Sequence, residues 1–162
     1  MPPARREKMY RYEIFTPHGQ AAAGEAASIV FPAFDGAFGI LARHGPLVAA
    51  LGAGRLTVRA PRGKTRWYFI SGGVVHIRQG ALTMLTEECI ADQDLRLDAA
   101  FAEMERARRM PTQTLEQREL RARALETASV KFRMARDYDM HQRVRAYTAG
   151  GVPRSVDIQP AK

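Results

Sequence analysis

The chain has 162 residues, 46% hydrophobic and 26% charged, with 13 Gly, 9 Pro and a formal net charge of +8. That profile excludes wholesale disorder, collagen and fibres, and it is long enough for one domain or two small ones to bury a core without staples. The excess charge is spread along the chain and admits nucleic acid, an anionic surface or an acidic protein as partner.

Apolar residues alternate up to about residue 90, and turn signals recur every 8–12 residues. Met9–Thr16 alternates, with Tyr10, Tyr12 and Ile14 on one side, and Thr16-Pro17-His18-Gly19 is a turn. Ala26–Phe31 is strand-like and is expected to stop at Pro32. Ala37–Leu41 and Leu47–Leu51 read as short strands around Arg43-His44-Gly45-Pro46, and Gly52-Ala53-Gly54 reads as a turn. Arg55–Ala60 points Leu56 and Val58 inward and Arg55, Thr57 and Arg59 outward. Pro61-Arg62-Gly63-Lys64 turns into Thr65–Ser71, Gly72-Gly73 is expected to break the chain, and Val74–Arg78 follows. Gln79-Gly80 then turns into Ala81–Thr86. Many brief antiparallel strands predict a β-sandwich or barrel.

The pattern then becomes helical. Leu97, Ala100, Phe101, Met104 and Ala107 share a face of a helix over Leu95–Met110, with Arg106, Arg108 and Arg109 at the end where the dipole favours cations. Pro111 stops it. Thr114-x-x-Gln117 is a capping box for a second helix running to about Tyr147, with the stripe Leu125, Ala128, Phe132 and Ala135. The fold class is therefore α+β: an antiparallel β-sandwich or barrel followed by a two-helix antiparallel hairpin. The expected parts are an N-terminal extension (1–8), the sandwich (9–90), the hairpin (91–147) and a mobile tail (148–162). At 1.5 Å per residue the helices span roughly 24 and 50 Å. The overhanging half of the longer helix either frays or packs against another protein.

Catalytic signatures are missing. A phosphate loop ending in Gly63-Lys64-Thr65 needs Gly where Val58 stands, and a nucleophile elbow at Ser71 needs Gly where Phe69 stands. Gly52-x-Gly54 leads into a strand and not a helix, so it makes no dinucleotide fingerprint. His18, His44, His76 and His141 stand apart without ligand spacing, so no metal and no cofactor are expected. The single Cys89 excludes an internal disulfide, suits a reducing compartment and reads as a small core residue. No uncharged stretch approaches the roughly 20 residues of a membrane span, and basic Met1–Arg11 lacks the apolar core of an export signal. A soluble protein of a cytoplasm-like compartment is expected. Arg66-Trp67-Tyr68-Phe69 is the one candidate for a sheet that reads nucleic acid, and it equally fits a core strand.

Three segments together carry a resemblance. Asp35-Gly36-Ala37-Phe38-Gly39-Ile40-Leu41-Ala42-Arg43-His44-Gly45-Pro46-Leu47-Val48-Ala49-Ala50-Leu51 resembles the strand-loop-strand of the ATP synthase epsilon subunit. Phe69-Ile70-Ser71-Gly72-Gly73-Val74-Val75-His76-Ile77 is similar to its Ser-Gly-Gly junction, and Ala81–Glu87 to the strand that follows. The resemblance implies a non-catalytic rotor protein, peripheral to the cytoplasmic side of an inner or plasma membrane. Its partners would be the gamma subunit, the c-ring and the alpha/beta catalytic head, with no nucleic acid. Asp35, Gly36, Phe38, Gly39 and Leu41 would approach the c-ring, although some members carry an acid where Ala37 stands. His44 would lie on the gamma side, and Pro46, Ser71, Gly72 and Gly73 are further partner-binding candidates. Arg118, Arg121, Arg123, Lys131, Arg133 and Arg136 would face an acidic part of the head and restrain hydrolysis. An ATP-binding Ile/Leu-Asp-x-x-Arg-Ala motif would open the first helix. Here it reads Leu95-Arg96-Leu97-Asp98-Ala99-Ala100, so no ATP sensing by that route is implied. The reading from another class is a basic nucleic-acid-binding β-domain.

Overall fold

A computed structural model describes residues 9–41 and 44–148. Eight strands precede two helices: β1 (Tyr10–Thr16), β2 (Gly19–Ala26), β3 (Ser28–Ala33), β4 (Gly36–Leu41), β5 (Leu47–Arg59), β6 (Thr65–Arg78), β7 (Ala81–Leu85), β8 (Cys89–Ala91), α1 (Leu97–Arg108) and α2 (Leu115–Thr148). The strands follow the order β2-β1-β7-β6-β5-β3-β4, with β8 also on β6. The spine is the long β5–β6 hairpin, paired from Leu47↔Ile77 to Arg59↔Thr65. β7 joins β6 over residues 74–78 and carries β1 in parallel, whereas β3 joins β5 at its other half.

The sheet folds over on itself. Tyr10 lies on the second strand of the order and Leu41 on the last, yet the Tyr10 hydroxyl donates to the Leu41 carbonyl at 2.7 Å. Between the halves lies one apolar core, drawing Tyr12 and Ile14 from β1, Ile29 and Phe31 from β3, Leu56 and Val58 from β5, Ile70 and Ile77 from β6, and Leu82 and Met84 from β7. This is the expected β-sandwich.

Both glycine pairs read as breaks lie inside strands. β5 runs through Gly52-Ala53-Gly54 and β6 through Gly72-Gly73. Their glycines serve close packing in the bent hairpin. A Cβ on Gly73, at φ +114°, would sit 1.9 Å from the Leu85 carbonyl oxygen, and one on Gly54 would sit 2.6 Å from the Pro32 ring. Pro32 itself is inside β3, at an irregularity in the β3–β5 register where a ladder donor is not needed. β2 and β8 were not expected.

The helices form slightly shifted versions of the expected pair. α1 is two residues shorter at each end, and α2 opens on the predicted box: the Gln117 amide donates to Thr114 Oγ1 at 3.1 Å and the Thr114 amide to Gln117 Oε1 at 3.2 Å. α1 lies against α2 through buried Ala100 and Ala107 and through the Phe101 and Phe132 rings. The buried α2 residues are Ala128, Val130, Lys131, Met134 and Ala135, a wider arc than the expected stripe. The arc is wide because α2 meets α1 on one side and the sandwich on the other. Beyond Asp139 the described side chains of α2 are exposed. No helix among the described residues is long and apolar enough to cross a membrane.

Candidate interaction surfaces

Three surfaces carry the residues singled out above. The first is the β3–β4 tip and the segment after β4. Asp35 and Gly36 are exposed at the turn, beside Phe34, which is 88% exposed and was not anticipated. Phe38 and Leu41 are exposed on β4, and Gly39 lies opposite Val30. The Phe38 ring stacks on buried Phe31 and meets the His44 ring edge-on, both at 5.5 Å. The His44 amide donates to the Tyr10 hydroxyl at 2.7 Å, so one buried tyrosine fixes both Leu41 and His44 while their side chains face outward. Pro46 is exposed, and Ala42 and Arg43 lie outside the described residues. Tyr10 was legible as a core residue but not as the anchor of this segment, because its partners lie 31 and 34 residues away.

The second surface is the Ser71-Gly72-Gly73 bend. Gly73 is consumed internally by β7, and Ser71 faces the segment before β8. Its Oγ accepts from the Glu88 amide at 2.9 Å, and its amide donates to the Glu88 carbonyl at 3.3 Å. Ser71 and Gly72 line a cleft of about 850 Å³ between sandwich and hairpin, with Phe34, Glu103, Arg123 and Lys131.

The third is α2. Arg118, Arg123, Arg133 and Arg136 are exposed, Arg136 beside Asp137 at 3.4 Å and Arg118 over the Thr114 carbonyl at 3.4 Å. Arg121 is half-buried, with its Nε out of reach of an acceptor. Lys131 differs from these. It is 5% exposed, the one buried charged side chain among the described residues. Its Nζ lies 2.6 Å from Glu88 Oε2 and 2.9 Å from Glu103 Oε2, and 5.2 Å from the centre of the Phe69 ring. Burial works to lower its pKa, but bonding and attraction from the two carboxylates outweigh it and hold the ammonium above its ordinary value. In this conformation Lys131 therefore faces inward, away from any partner.

Lys131 belongs to the seat that holds the hairpin on the sandwich. Its apolar part joins Phe69 to Leu95, Val130, Met134 and Ala135, flanked by Ile90. Phe69 is wholly buried there, whereas its neighbour Ile70 points into the sandwich core. Arg55 and Asp137 add an exposed pair at 3.5 Å. Of the Trp67-Tyr68-Phe69 triplet only Trp67 is open, at 41%, which leaves no platform of successive rings for stacked bases. Burial pushes the Cys89 thiol up to about 11, so it is a neutral thiol near pH 7 and no nucleophile. Burial also raises the carboxyl of Asp92 and the hydroxyl of Tyr12, the latter against the lowering effect of Arg66.

Residues 9–92 match the family model described as ATP synthase, Delta/Epsilon chain, beta-sandwich domain. The chain belongs to the ATP synthase epsilon chain family. An ATP synthase epsilon chain of Nitratidesulfovibrio vulgaris (Miyazaki F strain) is 35% identical over 94 residues, 58% of this chain and 69% of that one. The sodium ion specific epsilon chain of Propionigenium modestum is 26% identical over 134 residues, 82% of this chain and 97% of that one, so that match extends into the helices. Among solved structures, a chain of the Euglena gracilis mitochondrial ATP synthase (OSCP/F1/c-ring) aligns with a TM-score of 0.66 at 24% identity. It covers 75% of this chain and 78% of that one. A chain of the Tetrahymena thermophila mitochondrial ATP synthase central stalk and c-ring aligns with a TM-score of 0.62 at 13% identity, covering 78% and 96%. These two likenesses support the same fold.

Proposed function

We propose that the chain serves a rotary ATP synthase as a central-stalk subunit without chemistry of its own, peripheral to the cytoplasmic side of the membrane. The sandwich stands between the gamma subunit and the c-ring. The β3–β4 tip, with Asp35, Gly36, Phe38, Gly39 and Leu41, meets the ring, and His44 faces gamma. The coupling ion is a proton or sodium. When the hairpin leaves the sandwich, the exposed arginines Arg118, Arg123, Arg133 and Arg136 meet an acidic part of the catalytic head and restrain hydrolysis. Such pairing weakens with salt.

The observation that carries this reading is the construction of the joint. A sandwich of the epsilon family bears a 34-residue helix held to it by a small seat, with an exposed basic row on its free side. The test is deletion of residues 111–162 in the assembled complex. The expected result is intact assembly, with gamma and c subunits retained on purification, and faster ATP hydrolysis. Unchanged hydrolysis contradicts the inhibitory role, and loss of gamma and c subunits contradicts the assignment of their docking to the sandwich.

A further inference from the structure

The structure contains a feature that the functional reading leaves unused: a buried cation shared by three elements. Lys131 is on α2, Glu103 on α1, and Glu88 on the sandwich just before β8. Glu88 is held in place from the sandwich side. Ser71 binds its backbone through both the Oγ and the amide, and Thr86 Oγ1 donates to its carbonyl at 3.1 Å. The Ser71-Gly72-Gly73 bend therefore builds the seat into which Lys131 fits, over the Phe69 ring.

We propose that Lys131 is a releasable pin that sets whether the hairpin rests on the sandwich. Glu88 is its docking partner and Glu103 its escort, and Ser71 is the residue that positions Glu88. A buried cation stripped of its partner is costly, so an ordinary buried pair resists separation. Here α1 and α2 can leave together, and Lys131 then keeps Glu103 while giving up only Glu88. The Glu88 Oε2 that meets Lys131 is buried in the docked state while the rest of the side chain is open, 44% overall, so departure of the hairpin opens that oxygen to water, which takes over its charge. The pin therefore adds specificity to the docked position without locking it. The mechanism predicts unequal effects from two chemically identical substitutions. Glu88→Gln weakens the docked state alone. Glu103→Gln weakens docked and released states together, so the balance moves less. Lys131→Glu brings three carboxylates together and moves it most.

This inference rests on the proposed function only for its consequence, because the docking equilibrium belongs to the chain itself. The test uses the full chain with Cys89→Ala and spin labels on cysteines at exposed His18 and Arg133, one on the sandwich and one on α2. Pulsed electron resonance reads the fraction at the docked distance. The ratio of released to docked hairpin should rise about tenfold in Glu88→Gln, more in Lys131→Glu, and less in Ser71→Ala and Glu103→Gln. An unchanged distance distribution in both Glu88→Gln and Lys131→Glu overturns the pin. Equal release by Glu103→Gln and Glu88→Gln overturns the escort role. Circular dichroism of each variant checks that the sandwich is folded. If Glu88→Gln releases the hairpin and hydrolysis by the reconstituted complex does not change, the inhibitory function fails and the pin stands.

Discussion

The molecule has two apolar joints, and they are built differently. Within the sandwich, fifteen buried residues from both halves of the sheet close one core, with the Tyr10 hydroxyl spanning it. Between sandwich and hairpin, five buried residues make a smaller seat, supplemented by Lys131 and its carboxylates and by the exposed Arg55–Asp137 pair. Burial stabilises roughly in proportion to apolar area, so the first joint is the more permanent. The second is small enough to open while the first stays shut.

The sharpest way to break this comparison is to truncate one phenylalanine in each joint. Phe31→Ala empties the sandwich core and should cost about 3–5 kcal/mol of global stability in a denaturant titration. Phe69→Ala, equally buried, should instead release the hairpin and leave the midpoint of sandwich unfolding nearly unmoved. Equal losses from the two would mean a single cooperative unit.

A smaller contrast concerns glycines. Gly73→Ala drives a methyl into the Leu85 carbonyl at a positive φ and should cost about 3 kcal/mol. Gly36→Ala, also at positive φ but with open space around it, should cost about 1 kcal/mol. Thermal unfolding of both variants checks the order.

Tyr10→Phe keeps the ring and removes the hydroxyl that ties Leu41 and His44 to β1. A loss of about 1–2 kcal/mol is expected, with faster amide exchange at His44. The mildest effect is that of pH on the pin. The folded pKa of Lys131 is raised, so its contribution to docking is whole below the ordinary lysine value of 10.5 and is lost as pH rises through the higher folded value. The groups that face Lys131 are the carboxylates of Glu88, on the sandwich, and Glu103, on α1. Spin-label distances should therefore match at pH 7 and 9 and lengthen only above the ordinary lysine value, as pH rises through the higher folded one.

The sequence made the α+β class, the inward Leu56 and Val58, the Thr114–Gln117 box and the hairpin legible, because each rests on local periodicity or capping. It misread the glycine pairs as breaks, because a bend inside a long strand and a turn between two strands use the same residue for the same freedom. It missed β2, whose Gly-Gln-Ala-Ala-Ala-Gly-Glu-Ala has no β-branched residue. That strand is an edge paired to β1, and Gly24 there lies 3.2 Å, by its would-be Cβ, from the Tyr12 ring. The surface candidates on β4 were legible from their motif. The pin was not, since Glu88 and Glu103 lie 43 and 28 positions from Lys131 and nothing local marks a lysine in a basic helix as the buried one.

Native-state hydrogen exchange on the full chain tests the two-joint account most directly. Amides of α1 and of α2 from Leu115 to Asp139 should exchange through an opening of lower free energy than the core amides of β5 and β6. That opening should become easier in Glu88→Gln while the strands stay protected. Exchange of helices and strands through one common opening, moved together by that substitution, would contradict it.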